Sequence, residues 1–139
     1  MKEKIRQKMV ANVKEAEKVG RIILLNIEKT TDLEKSHIIG VLFLAYIDNH
    51  LDLNSFHRLC DAVDLSFIED LKKILSEQQL TDKSTMQYLA RSGITEVIGG
   101  KTWDDVGEIF YDLSPLGNLL KEAYNYGLEK IVAKENLGS

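Results

Sequence analysis

Apolar residues recur along most of this chain at the three-and-four spacing of an α-helix, and one stretch departs from it. Over residues 3–29 the positions Met9, Val13, Ala16, Gly20, Ile23 and Ile27 alternate intervals of four and three, a heptad seam that predicts one long helix. Ala16 and Gly20 let another helix approach closely, although Gly20 costs roughly 1 kcal/mol relative to alanine. The seam has two uses open to it, packing against the chain's own last helix or self-association. Thr31 and Glu34 form a capping box for a second helix, about 32–48, that is apolar on most of its circumference, with Gly40 marking a close crossing. Asp52 caps a third helix with the stripe Phe56, Leu59, Cys60 and Val63. A second capping box, Ser66 and Glu69, starts a fourth, which turns Phe67, Ile68, Leu71, Ile74 and Leu75 inward and runs to about Ser76. Residues 82–92 read as a fifth, capped by Thr81 or Asp82, with Met86, Leu89 and Ala90 inward and Gly93 as its stop.

After Gly93 the period changes. Ile94 to Val97 alternates like a strand, Glu108 to Asp112 can pair with it, and Gly99, Gly100 and Gly107 permit the turns between them. Ser114-Pro115 opens a sixth helix to about Ala133, burying Leu116, Leu119, Leu120, Ala123, Tyr124 and Leu128, with Asn136 to Ser139 fraying. The predicted fold class is therefore mainly α (α+β): six helices and a two-stranded antiparallel hairpin. With no linker and no internal repeat, residues 1–139 read as a single domain, in which 1–30 is the long N-terminal helix and 31–135 the helical core. A chain of this size buries roughly two-thirds of the surface its unfolded form exposes, so no disulfide or metal is required for stability.

Two runs in the second half carry a resemblance. Leu89-Ala-Arg-Ser-Gly93-Ile94 and Tyr111-Asp-Leu113-Ser-Pro-Leu-Gly117 resemble the end of the recognition helix and the wing-to-helix junction of bacterial winged-helix proteins, which makes residues 66–134 the winged-helix-like part. Upstream, the run Glu34 to Ile47, Phe56-His-Arg-Leu and Asp70-Leu are similar to a helical region of uncharacterised bacterial and phage proteins. That likeness brings no known activity. It implies that additional N-terminal sequence often precedes such a region, so this chain would be the C-terminal part of something longer.

Charge weighs on what a winged helix could bind here. Net charge is −4, yet residues 1–30 carry eight Lys/Arg against four Asp/Glu, while residues 66–117 carry five against nine. A DNA-reading helix at 82–92 would offer Lys83, Ser84, Gln87 and Arg91 to the major groove, with Lys101 and Trp103 on the wing near the backbone. Asp82, Glu96, Asp104, Asp105, Glu108 and Asp112 oppose this, because phosphate contacts supply most non-specific affinity. Trp103 either anchors a partner or folds back on the strands. The basic start, Lys2, Lys4, Arg6 and Lys8, reads as a solvated helix end.

Signals for chemistry are weak. His57, Cys60, Asp61 and Asp64 offer metal-ligand types on one helix, but Cys60 leans toward the apolar stripe and no second segment contributes. Asp48 to Asp52 fails as a calcium loop, since Leu53 and Leu59 stand where glycine and glutamate are needed. His37 and His50 show no partner. Gly99-Gly100-Lys101-Thr102 sits between strands and lacks the first glycine of a phosphate loop. No catalytic, cofactor-binding or metal residue is therefore assigned, and no small-molecule substrate. The longest apolar run, Ile38 to Ile47, is about half of the roughly 20 residues a membrane span needs. The N-terminus has no apolar h-region, and the lone Cys60 suits a reducing cytoplasm. The expectation is a cytoplasmic, non-enzymatic domain that binds a protein partner or itself; the alternative is a winged-helix DNA-binding transcriptional regulator.

Overall fold

The computed structural model describes residues 14, 15, 17, 18, 20, 21, 32–76, 82–98 and 109–137. Among them the elements run α1 (Leu33–Ile47), α2 (Leu53–Leu65), α3 (Ile68–Ser76), α4 (Lys83–Leu89) continued by a 3-10 turn (Ala90–Ser92), β1 (Thr95–Ile98), β2 (Phe110–Leu113) and α5 (Pro115–Leu137). The molecule is mainly helical with one two-stranded antiparallel sheet. Five helices are seen among the described residues where the periodicity predicts six. Of the helix predicted over 3–29, residues 14, 15, 17, 18, 20 and 21 are helical, while Met9, Val13, Ala16, Ile23 and Ile27 lie outside the described residues.

Helix α1 is central because its apolar positions are not confined to one stripe: Ile38, Ile39, Val41, Leu42 and Ala45 are all buried, with α5 on one side and α2 on another. Phe56 and Leu59 from α2, Leu71 and Ile74 from α3, Leu89, Ile94 and Leu120 complete the core. Each such side chain contributes about 1.5–3 kcal/mol relative to being exposed. The glycine at the helix crossing is Gly127 and not Gly40. A Cβ at Gly127 would stand 2.3 Å from the Val41 carbonyl oxygen, whereas one at Gly40 meets no atom within 4 Å. Gly40 lies on the exposed side of α1, and the close approach comes from the facing helix.

Helix ends follow the predicted chemistry with two corrections. Asp52 Oδ1 accepts from the Ser55 amide at 2.7 Å, and Gly93 stops the fifth predicted helix with φ at +84°. At α1 the cap is Asp32 instead of Thr31. Its Oδ1 accepts from the amides of Glu34 at 2.8 Å and Lys35 at 3.4 Å, putting a full negative charge where the helix dipole favours it. Glu34 then turns to Lys72, 3.1 Å away. Ser66 does not cap α3. Its hydroxyl lies 2.7 Å from both the Ala62 carbonyl and the Ser92 hydroxyl, and Ser92 Oγ lies 3.1 Å from the Leu89 carbonyl. This buried serine pair ties the end of α2 to the 3-10 turn, and freed from the cap geometry Phe67 swings out to 65% exposure instead of joining the inner stripe.

Strand β2 begins at Phe110, two residues later than predicted, and pairs Thr95 with Leu113, Glu96 with Asp112, Val97 with Tyr111 and Ile98 with Phe110. The register is locked at one end: the Ser114 amide donates to the Ile94 carbonyl at 3.0 Å, so pairing cannot stop before Leu113. Ser114 Oγ reaches the carbonyls of Gly93 and Ile94 and accepts from the Gly117 amide at 3.0 Å. Gly117 has no room for a side chain, since a Cβ would stand 2.1 Å from the Ile94 carbonyl oxygen. The two sequence runs Leu89–Ile94 and Tyr111–Gly117 therefore meet in a single backbone crossing. Beyond it α5 continues to Leu137, one turn past the predicted end.

Candidate interaction surface

Helix α4 is short and its orientation is set by three contacts. Asp82 caps it, accepting from the Ser84 amide at 3.1 Å and the Thr85 hydroxyl at 2.9 Å. The Thr85 hydroxyl, then Lys73 and the backbone amides, hold the Asp82 carboxyl below its ordinary range. Thr95 Oγ1 donates to the Met86 carbonyl at 2.5 Å, fastening the same helix to β1. With Thr85, Met86 and Leu89 turned inward, Lys83, Ser84, Gln87 and Arg91 share the exposed side, as the spacing predicts. Tyr88 joins them. It is 57% exposed and carries the Arg91 guanidinium 5.6 Å above its ring centroid. Its position four after Ser84 and three before Arg91 was the available signal.

Beside this face lies a cleft of about 380 Å³, lined by Leu65 at the end of α2, Phe67 in the connection, Asp70 in the first turn of α3, and Tyr88 and Arg91. Leu65, Phe67 and Tyr88 are each more than half exposed, an unusual concentration of large apolar side chains around one opening. Asp70 is the opposite case. It is only 9% exposed, and among the described residues its carboxylate makes no hydrogen bond or ion pair.

The neighbouring hairpin is acidic on its open face. Glu96 and Asp112 stand directly opposite each other, both exposed, a like-charge pair that neither strand pairing nor phosphate binding favours. Lys101 and Trp103 lie outside the described residues, so the cations available beside α4 are Lys83 and Arg91, with Lys73 already 3.4 Å from Asp82.

The remaining candidates are dispersed. His57 and Asp61 are exposed, 3.9 Å apart, while Cys60 is fully buried on the other side of the same helix. Burial, and then the Asp61 charge, push the Cys60 thiol up to about 12, which leaves it inert as a nucleophile. Among the described residues no three His, Cys, Asp or Glu side chains are grouped to hold a metal ion. His50 does have a partner: its ring stacks on Tyr126, centroids 3.6 Å apart. His37 lines an apolar groove of about 550 Å³ with Leu33, Tyr124 and Leu128. Of the seam residues, Gly20 is helical, and a Cβ there meets no atom within 4 Å. No described helix is long and apolar enough to cross a membrane. Comparison with protein-family models, curated proteins and solved structures returned no match.

Proposed function

We propose that this chain is a cytoplasmic, non-enzymatic protein-interaction domain whose winged-helix-like second half docks a partner protein on the side of α4 bearing Tyr88. The observation that carries this reading is the ring of exposed Leu65, Phe67 and Tyr88 around one cleft. Large aromatic and aliphatic side chains around a pocket are what protein interfaces use as anchors. The alternative, a winged-helix DNA-binding regulator, draws on the exposed Lys83, Ser84, Gln87 and Arg91, but Asp82 at the start of α4 and the exposed Glu96 and Asp112 of the hairpin are carboxylates that phosphate binding disfavours.

Two measurements separate these readings. In a gel shift with random-sequence duplex at low salt, the protein is expected to leave the duplex unretarded; tight, salt-sensitive retardation would establish the alternative. Panning a random peptide library on the protein should enrich binders that are lost on a Tyr88→Glu, Phe67→Ser double variant of unchanged circular dichroism. Enrichment that survives the double variant would place the binding surface elsewhere.

A further inference from the structure

Asp70 sets the chemistry of the cleft. An aspartate nine-tenths removed from solvent and without a partner among the described residues is an unfavourable arrangement, because the lost hydration is not replaced. Its place in the first turn of α3 gives some relief from the helix dipole, yet no backbone amide hydrogen-bonds to the side chain. Arg91, which lines the same cleft, is held over the Tyr88 ring instead. The Asp70 carboxylate thus lines an opening together with Leu65, Phe67, Tyr88 and Arg91.

We infer that the cleft takes a lysine or arginine side chain of a partner protein, its head reaching Asp70 while apolar residues flanking it in the partner pack on Leu65, Phe67 and Tyr88. Long basic side chains suit such a site because an apolar stem leads to a charged tip. The cleft offers both parts, the apolar Leu65, Phe67 and Tyr88 beside the Asp70 carboxylate. Arg91 is then a competitor at the opening and contributes nothing to the bond. This inference rests on the interaction-domain reading and adds the partner's charge to it.

The test uses an array of hexapeptides with a central Lys or Arg flanked by Leu, Phe or Tyr, beside matched arrays with Gln or Glu at the centre. The whole chain is expected to be retained by the basic peptides about tenfold or more above the Gln set, the range a charged hydrogen bond commands. Asp70→Asn should abolish that preference, and Arg91→Gln should keep or strengthen it. In ¹⁵N spectra the best basic peptide should move the resonances of Asp70 and Tyr88. Equal retention of the Gln peptides overturns the role of Asp70 while leaving an apolar docking surface in place. Preference for the Glu set overturns it by making Arg91 the anchor. No retention at all overturns it too, and the gel shift with duplex then decides separately whether the interaction-domain reading falls with it.

Discussion

Gly127 lacks a side chain where Val41 leaves no space for one, and Gly127 on α5 and Gly40 on α1 give opposite predictions. Gly127→Ala drives a Cβ to 2.3 Å from the Val41 carbonyl and 2.6 Å from Val41 Cγ1, so the helices must part. The expected loss is about 1–3 kcal/mol or more, the usual cost of overpacking. Gly40→Ala meets nothing, sits mid-helix on an exposed face, and should add close to 1 kcal/mol from helix propensity alone. Urea unfolding of both variants checks the pair; equal changes would refute the crossing described for α5. Cys60 supplies a second residue-scale prediction. With its pKa near 12 and no exposure, the thiol should stay unreactive toward a disulfide reagent at pH 8 in the folded protein and react at the normal rate once the chain is unfolded in urea. Which glycine mattered could not be read from the chain, because a close approach is a property of two elements at once. The caps are local, and Asp52, Asp82, Gly93 and Ser114 were accordingly legible within a residue.

Two contacts between elements respond to charge in different ways. Asp48, after the last residue of α1, accepts from Tyr126 Oη at 2.8 Å and lies 3.1 Å from Lys130 Nζ, both on α5. The Tyr126 bond first, and Lys130 next, hold Asp48 below its ordinary value of 3.8; its contribution is present above that value and is lost as pH falls through the lower folded-state pKa. Tyr126 and Lys130 are raised above 10.0 and 10.5, chiefly by their bonds to Asp48, so their contribution is complete below those values and is lost as pH rises through the higher folded-state pKa. Melting temperature should therefore fall at both extremes, and Asp48→Asn should flatten both flanks, since one carboxylate serves both partners. The drop is small, as the groups lie in solvent. In the hairpin the sign reverses. Glu96 faces Asp112, so Glu96→Lys turns a repulsive pair into an attractive one and should raise stability by roughly 0.2–1 kcal/mol in urea unfolding. The strands themselves were visible as a change of period after Gly93; their register was not, because it is set by the Ser114 amide bonding back across to Ile94.

At the scale of the whole molecule, the helical order and the hairpin follow from periodicity, whereas the cleft does not. The periodicity puts Phe67 on the inner stripe, whereas it is 65% exposed beside a Ser66 whose hydroxyl bonds Ser92 instead of capping the helix. The long first helix poses the last question, whether its seam joins two chains or packs within one. Burial first, and then the nearby Glu15 carboxylate, push the Tyr46 phenol on α1 up to about 12. Glu15 is not itself a seam residue, and of the seam only Gly20 is among the described residues, so both uses stay open. Ile23→Asp puts a charge on the seam and discriminates between the two uses. Internal packing requires the variant to melt earlier while light scattering at several concentrations gives the same mass as the parent chain. A parent mass that rises with concentration, together with a variant that stays small and keeps its melting temperature, would instead make the seam the contact between two copies.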